Sequence, residues 1–218
     1  MKKSVKTQIL AIYRILYRSY GPVECFLKHS NPFQLLVMAV LSAQCTDKKV
    51  NALAPLLFAR YPDPKSTSSA KFSEYSKLIK PLGLFRAKAK NIISASKMIC
   101  EKFNGEVPSS IEELVQMPGI GRKTANVVIG HVFGKPGFPV DTHVQRIMRR
   151  LSYVSEKDSP EKIEAFVNSH LDAKYWSAFS LLLISHGRAI CKASKPKCLN
   201  CEIRNFCKFF KINKSSFK

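Results

Sequence analysis

Acidic side chains are scarce in this chain of 218 residues: 15 Asp and Glu stand against 36 Lys and Arg, for a formal net charge of +21. A folded chain with this imbalance repels itself, so an anionic partner is expected. Nucleic acid is the first candidate and an anionic membrane surface is the second. A basic protein with no polyanionic partner is the weaker interpretation of the same composition.

Long apolar runs are also missing. No run approaches the ~20 residues that a membrane-spanning helix needs. The first residues include two lysines but no signal-peptide core followed by a small-residue cleavage site. We therefore expect an intracellular protein without a membrane partner, cytoplasmic and at the nucleoid if it is bacterial. That compartment is reducing, so the seven cysteines are not expected to form disulfides.

Strand signals are absent, since no segment combines period-two alternation with hairpin turns. Helical periodicity instead predicts an all-α fold of about ten helices. The predicted longer helices are 5–20, 31–45, 48–60, 86–103, 122–133 and 174–191. The apolar run in 31–45 predicts a central helix. Residues 65–70 are predicted to be a surface loop, and the Gly- and Pro-rich segment 134–139 a domain boundary.

Capping patterns predict where four helices begin. Asn31 precedes Pro32, Ser110 is followed three residues later by a Glu, Thr142 by a Gln at the same spacing, and Ser159 precedes a Pro. Pro81-Leu82-Gly83-Leu84 before a basic helix weakly resembles Met117-Pro118-Gly119-Ile120, so two helix–turn–helix units are possible.

The segment Met117–Lys123, with the sequence Met-Pro-Gly-Ile-Gly-Arg-Lys, predicts a helix–hairpin–helix turn. Gly119 and Gly121 are expected to adopt positive φ and to let a ligand approach the backbone. The amide groups that begin the following helix, together with its dipole, would bind a phosphate and carry no base information. The bland alternative is an ordinary tight turn between two helices.

Lys123 lies in the first turn of that helix, where partial burial and the neighbouring Arg122 would favour the neutral amine. A neutral lysine can form a Schiff base, although lysines more often pair with phosphate. Asp141 precedes another helix, so it is either an N-cap or a carboxylate that faces developing positive charge. His143 lies close by in sequence, and a lone histidine more often packs or hydrogen-bonds than catalyses.

Four cysteines near the C-terminus have the spacing C-x6-C-x2-C-x5-C: Cys191, Cys198, Cys201 and Cys207. Four thiolates suit either an iron–sulfur cluster or zinc. A zinc site usually has two short C-x2-C motifs, whereas this segment has one, which favours an iron–sulfur cluster. Lysines within and after this segment would be held toward DNA by a metal-braced loop, or would form a solvated basic tail. Cys25, Cys45 and Cys100 lie in apolar patterns and are expected to be core thiols.

Together these segments resemble the endonuclease III family of the helix–hairpin–helix DNA glycosylase superfamily, over about residues 5–210. The matching stretches are 41–47, 104–108, 118–128, 140–143, 186–188 and the four cysteines. Cys45 departs from the Ala that is common in the family, which is a small change of side chain.

The resemblance implies a two-lobed fold. A helical barrel with the hairpin spans 22–135, and a second lobe joins 1–21 to 136–218 and holds a [4Fe–4S] cluster on the four cysteines. Double-stranded DNA with damaged bases or abasic sites would lie across the cleft between the lobes, and the protein would act as a monomer.

By the same resemblance, Lys123 is the attacking amine and Asp141 the carboxylate that supports it. Gln44 and Leu84 match residues that such enzymes insert into the duplex. The implied DNA-contacting set is Gln44, Leu84, Gly119, Gly121, Arg122 and His143. The implied function is base excision repair: a DNA glycosylase that removes oxidised pyrimidines and a lyase that cuts 3′ to the abasic site by β-elimination.

Three alternatives remain at this point. An adenine-mismatch glycosylase would share the fold and the cluster but lack the lysine. A non-enzymatic DNA-binding module would use the hairpin and the basic loop alone. A zinc-stabilised RNA-binding protein is the weakest of the three.

Overall fold

The computed structural model describes residues 4–217, and these form helices, turns and loops with no strand. The predicted all-α class is confirmed. The α-helices within this range are α1 (Val5–Tyr20), α2 (Pro32–Leu41), α3 (Asp47–Arg60), α4 (Pro64–Ser68), α5 (Phe72–Leu78), α6 (Phe85–Lys102), α7 (Ile111–Leu114), α8 (Arg122–Val132), α9 (Thr142–Leu151), α10 (Pro160–His170), α11 (Trp176–Ala189) and α12 (Lys208–Ile212). Short 3-10 helices occupy Lys80–Leu82, Ala173–Tyr175, Cys198–Asn200, Arg204–Phe206 and Lys214–Phe217.

The contacts divide the chain into two compact units. One unit is Cys25–Lys135, here called the hairpin unit, and the other joins Met1–Glu24 to Pro136–Lys218 and is called the cysteine unit. Each unit contains its own set of buried apolar side chains.

Helix α2 is the centre of the hairpin unit, as its all-round apolar pattern predicts. Every residue from Leu35 to Leu41 is buried, and α2 packs against α3, α6 and α8. Its start is fixed by Asn31, whose side-chain oxygen accepts a hydrogen bond from the Gln34 amide at 2.9 Å. The core therefore supports directly the helix that follows the glycine-rich turn.

The prediction of a surface loop at 65–70 is wrong, because Pro64–Ser68 forms α4. Asp63 Oδ1 accepts from the Ser66 amide at 2.7 Å, and Pro64 occupies the first helical position. These N-terminal signals outweigh the polar Ser/Thr composition. Helices α5 and α12 were not predicted from the sequence.

In the cysteine unit, α11 packs against α1 and α9. Its core includes Ile12 and Leu16 of α1 together with Phe138 and Phe179, whose ring centroids lie 6.0 Å apart. Helix α9 also contacts α10 and α12, so the helix that follows Asp141 is held on several sides. The side chains at its start are therefore presented from a rigid element.

Candidate active site and DNA interface

The glycine-rich turn lies between α7 and α8. Ser110 caps α7 as predicted, with its Oγ accepting from the Glu113 amide at 3.2 Å. Gly119 has φ +77°, the left-handed conformation that the sequence predicts for it, and a Cβ there would lie 2.5 Å from Asn91 Nδ2. Both its conformation and its close contact with α6 therefore require glycine.

Gly121 differs from the prediction of positive φ. It is extended, with φ −88° and ψ 171°, and forms the N-cap of α8. The first hydrogen bond of the helix runs from the Ala125 amide to the Gly121 carbonyl at 3.0 Å. The earlier amides are therefore directed out of the helix start, where the dipole favours an anion. Apart from its two chain neighbours, no atom of residues 4–217 lies within 4 Å of a Cβ built on Gly121, so the space outside this turn is open.

Lys123 is exposed in the first turn of α8, and the expectation of partial burial is wrong. The reason is helical spacing, because Ala125, Val128 and Ile129 occupy the face that packs into the core. The amine is thus accessible to a ligand at the helix start. Desolvation of this group has to come from a bound molecule that covers it.

Asp141 is the N-cap of α9, so the predicted cap at Thr142 is wrong by one residue. Its Oδ1 accepts hydrogen bonds from the amides of His143 at 2.8 Å and Val144 at 2.9 Å. Within residues 4–217, Oδ2 accepts none. The carboxylate therefore caps the helix with one oxygen and offers the other to a ligand.

His143 is half-buried against α11. A Cβ on Gly187 would lie 2.6 Å from its Nδ1, so this glycine lets the imidazole approach the helix. Burial lowers the pKa of His143, the Asp141 carboxylate opposes that shift, and Arg146 and Arg188 add to it. Arg146 NH2 donates to Nδ1 at 2.9 Å, so the proton of the neutral ring lies on Nε2.

Gln44 and Leu84 lie in two turns of the hairpin unit. Gln44 follows α2 with φ 52°, and Leu84 precedes α6 with φ 48°, a conformation that is costly for side chains with a Cβ. Both are exposed, and Leu84 exposes 54% of its surface. An apolar side chain held outward on a strained backbone indicates a functional contact.

The four C-terminal cysteines line a single cavity, together with Arg150, Ile190, Arg204, Phe209 and Phe210. Its empty space, including the part open to solvent, is about 280 Å³. All seven cysteines, which lie within the described residues, are free thiols, and Cys25, Cys45 and Cys100 are partly buried. Burial raises the pKa of Cys201 to about 12, with the neighbouring thiols adding to the shift. Four ionised thiols here therefore need a positive partner.

Two arginines of α9 attach this helix to the residues that surround Cys191. Arg146 Nε donates to the Cys191 carbonyl at 2.9 Å, and Arg150 NH1 donates to Cys191 Sγ at 3.2 Å. Arg150 also donates to the carbonyls of Lys192 at 2.8 Å and Ala193 at 3.1 Å. The helix that begins at Asp141 is thus fixed at its other end to the cysteine cavity. Neither arginine was predicted from the sequence to have this role, although their i,i+4 spacing places them on one face.

His186 is a further contact of the cavity. It is fully buried, with Nδ1 3.0 Å from Tyr20 Oη and Nε2 3.4 Å from Cys201 Sγ. Burial lowers its pKa to about 4, and Glu202 opposes the shift. The neutral His186 ring accepts a hydrogen bond from Tyr20 at Nδ1. Its proton therefore lies on Nε2, which donates a hydrogen bond to the sulfur of Cys201.

Basic side chains cover the segment that carries the cysteines. The exposed ones are Lys192, Lys195, Lys197, Arg204, Lys208, Lys211 and Lys214. They supply a dense positive surface next to a cavity that could anchor it. No helix within residues 4–217 is both long and apolar enough to cross a membrane.

Known proteins resemble this chain over nearly its whole length. The HhH-GPD superfamily of base excision DNA repair proteins matches residues 37–172. Endonuclease III of Synechocystis sp. is 45% identical over 94% of this chain and 93% of its own. A non-covalent endonuclease III–DNA complex superposes with a TM-score of 0.92 at 38% identity, covering 98% of this chain and 100% of that one. A trapped endonuclease III–DNA covalent intermediate gives the same TM-score and identity over 97% and 100%. Because sequence, fold and hairpin agree, this chain belongs to the endonuclease III family within the HhH-GPD superfamily of base excision DNA repair proteins.

Proposed function

We propose that Lys123 forms a Schiff base with damaged nucleotides in double-stranded DNA, and that oxidised pyrimidines are the bases removed. The protein is a bifunctional DNA glycosylase and abasic-site lyase of base excision repair. The observation that carries the proposal is the exposed amine of Lys123 at the start of the hairpin helix. A covalent DNA intermediate has been trapped for a relative of the same fold.

The chemistry follows from a neutral amine at this position. The damaged base is first extruded, since its sugar carbon cannot be reached inside the stack. The Lys123 nitrogen bonds to C1′, the C1′–N bond to the base breaks, and the base leaves with that electron pair and takes up a proton. Ring opening converts the adduct into an imine. A C2′ proton is then removed, its electron pair forms a C2′=C3′ double bond, and the C3′–O bond breaks so that the phosphate leaves with that bond's electrons as the 5′-phosphate end of the downstream strand. Water finally hydrolyses the imine to release Lys123.

Asp141 supports this reaction through its second oxygen. A carboxylate there can accept a proton from the lysine ammonium and stabilise positive charge that develops on the sugar. Its Oδ1 is occupied by the amides of His143 and Val144, so the cap holds the carboxylate in one orientation. Because Oδ1 caps the helix and Oδ2 is available to the substrate, one aspartate can be both a cap and a catalytic residue.

The hairpin turn and the two exposed turns are proposed to hold the DNA. The amides at the start of α8, with Gly119, Gly121 and Arg122 around them, would bind a backbone phosphate. Gln44 and Leu84 would enter the duplex where the damaged base leaves it. His143, half-buried beside Asp141, would contact the strand through its exposed edge.

The four cysteines are proposed to hold a [4Fe–4S] cluster. The four thiols line one cavity, and Arg150 and His186 lie within hydrogen-bond distance of the sulfurs of Cys191 and Cys201. Four cysteine thiolates with one short C-x2-C spacing suit such a cluster better than a zinc site. Such a cluster would supply structural iron–thiolate bonds that brace the basic loop.

The hairpin unit and the cysteine unit are proposed to be the barrel lobe and the cluster lobe of the glycosylase. The protein would act as a monomer on the chromosome, in the cytoplasm if the organism is bacterial.

Borohydride trapping tests the proposed nucleophile. A duplex with one abasic site, incubated with the protein, EDTA and borohydride, should yield a covalent protein–DNA product that maps to Lys123. The Lys123→Gln variant should give none while binding the duplex within about threefold of wild type. Lys135→Gln, which removes another hairpin-unit lysine, is the matched control. A product retained in Lys123→Gln would show that Lys123 is not the amine. Intact strands with the wild-type protein would overturn the proposal and favour a non-enzymatic DNA-binding module.

A further inference from the structure

Lys88 is a buried cation in the hairpin unit. It lies on the basic helix α6 and is 4% exposed, whereas Arg86 and Lys90 on the same helix are exposed. Its Nζ donates hydrogen bonds to the carbonyl of Leu41 at 2.8 Å and to the carbonyl of Leu82 at 2.9 Å. Burial lowers its pKa, and the nearby Cys45 thiol opposes the shift.

The two carbonyls end two different elements. Leu41 is the last residue of α2, and Leu82 is the last residue of a 3-10 helix. Such terminal carbonyls have no partner inside their own helix, and a cation at a helix C-terminus is favoured by the dipole. One ammonium therefore caps both elements and fixes the distance between their ends.

Each element leads directly into one of the exposed turns. Gln44 follows Leu41 by three residues, and Leu84 follows Leu82 by two. Both turn residues have positive φ, and the Leu84 carbonyl also accepts from the Lys88 amide at 3.0 Å. That hydrogen bond from the amide is the first of α6 and does not depend on the side chain, so the specific contribution of Lys88 is its amine, which binds the backbone immediately before each turn.

A buried lysine is a costly way to fill a core position, because removing an ammonium from water is unfavourable unless it is fully hydrogen-bonded. A protein with an apolar side chain of similar volume at such a position is generally as stable as the protein with the lysine, or more stable. The two hydrogen bonds of Lys88 position the end of α2 and the end of the 3-10 helix, and this positioning best explains why a lysine occupies a buried site. We propose that Lys88 is a positioning residue that locks the turns of Gln44 and Leu84 into one rigid unit for insertion into duplex DNA. This inference rests on the proposed function.

The test uses Lys88→Met, which keeps the length and apolar stem but removes the donors. Lys90→Met is the matched control, since it removes one exposed charge from the same helix and measures the loss of electrostatic attraction alone. Activity is compared on a duplex with one oxidised pyrimidine and on a single strand with one abasic site. The single strand has no base stack to fill, so it does not need the insertion residues.

We expect kcat/KM on the duplex to fall tenfold or more in Lys88→Met, beyond the effect of Lys90→Met. Borohydride trapping on the single strand should stay within about twofold of wild type. A 2-aminopurine placed opposite the lesion should also show a smaller fluorescence change on binding, a signal that a general loss of stability does not produce in folded protein.

A second measurement separates positioning from folding. If Lys88 acts through the two turns, Lys88→Met should add little to a Gln44→Ala/Leu84→Ala double variant, because the effects are not additive. Should Lys88→Met not fold, Lys88→Gln, which keeps one donor, takes its place in the same cycle. Equal losses on duplex and single strand, full additivity, or an unchanged duplex rate would each overturn the inference. Wild-type protein that fails to trap on either substrate would overturn the proposed function instead.

Discussion

At the scale of single residues, two lysines of the hairpin unit illustrate opposite uses of the same side chain. Lys123 is exposed at a helix start and keeps its amine available to a ligand, while Lys88 is buried and uses its amine to hold the backbone. The place of Lys123 at a helix start can be predicted from sequence because the glycines before it specify a turn, whereas its exposure was not predicted. The burial of Lys88 cannot be predicted, because a lysine among other basic residues on a helix predicts a solvated face.

The Asp141→Asn variant separates the role of Asp141 as an N-cap from its proposed role in the reaction. Asn is as good an N-cap as Asp, so Asp141→Asn should keep the bonds to the His143 and Val144 amides and the stability of α9. It removes the negative charge that is proposed to support the reaction, so turnover should fall about a hundredfold or more. Single-turnover excision on a damaged duplex, together with duplex affinity, measures the two effects independently.

The Asp141→Ala variant is the control for this prediction. It loses the cap as well as the charge, and should therefore be less stable than Asp141→Asn by about 1 kcal/mol. Turnover of Asp141→Asn equal to wild type would remove this carboxylate from the catalytic machinery and leave it as a cap alone.

At the scale of helices, capping residues explain which boundaries the sequence predicts. Asn31, Ser110 and Ser159 all cap the helices that they were expected to cap. The error at 65–70 arose because Tyr61-Pro62-Asp63-Pro64 ends one helix and begins the next within four residues. The error at Thr142 arose because Thr and Asp are adjacent and both can cap, and only the direction of the side chain decides between them.

The hairpin turn permits a paired glycine test. Gly121→Ala should fold normally, since its φ of −88° suits any residue and no protein atom lies within 4 Å of the added Cβ. The added methyl group would project into the space outside the turn, where the phosphate is proposed to bind. Affinity for an abasic-site duplex should therefore fall about tenfold, or about 1.4 kcal/mol.

The comparison variant for the turn is Gly119→Ala. There the positive φ and the 2.5 Å approach to Asn91 should destabilise the hairpin unit itself. Fluorescence anisotropy and urea unfolding distinguish these effects. Wild-type affinity in Gly121→Ala would show that this turn does not bind a phosphate.

At the scale of the whole molecule, the chemistry is distributed over two units with separate cores. Lys123, the glycine-rich turn and the exposed Gln44 and Leu84 belong to one unit, and Asp141 with the four cysteines belongs to the other. The cysteine spacing made the shared cavity predictable. The attachment of α9 to that cavity was not, because Arg146 and Arg150 lie more than 40 residues from the carbonyls and the sulfur that they contact.

This attachment predicts how loss of the proposed cluster would affect the rest of the cysteine unit. Cys198 is buried at the cavity, so Cys198→Ser should lose iron and loosen the cysteine loop, residues 191–207. Because Arg146 and Arg150 join this loop to α9, amide exchange should accelerate along Thr142–Leu151, including the two amides that Asp141 caps. Exchange in α6 should be unchanged, since that helix belongs to the hairpin unit.

Hydrogen-exchange mass spectrometry measures the exchange in each helix, and an iron assay measures the loss of the proposed cluster. The control is Cys100→Ser, which should keep its iron. Protection of α9 retained after the loss of iron would show that the cluster does not support the helix that begins at Asp141.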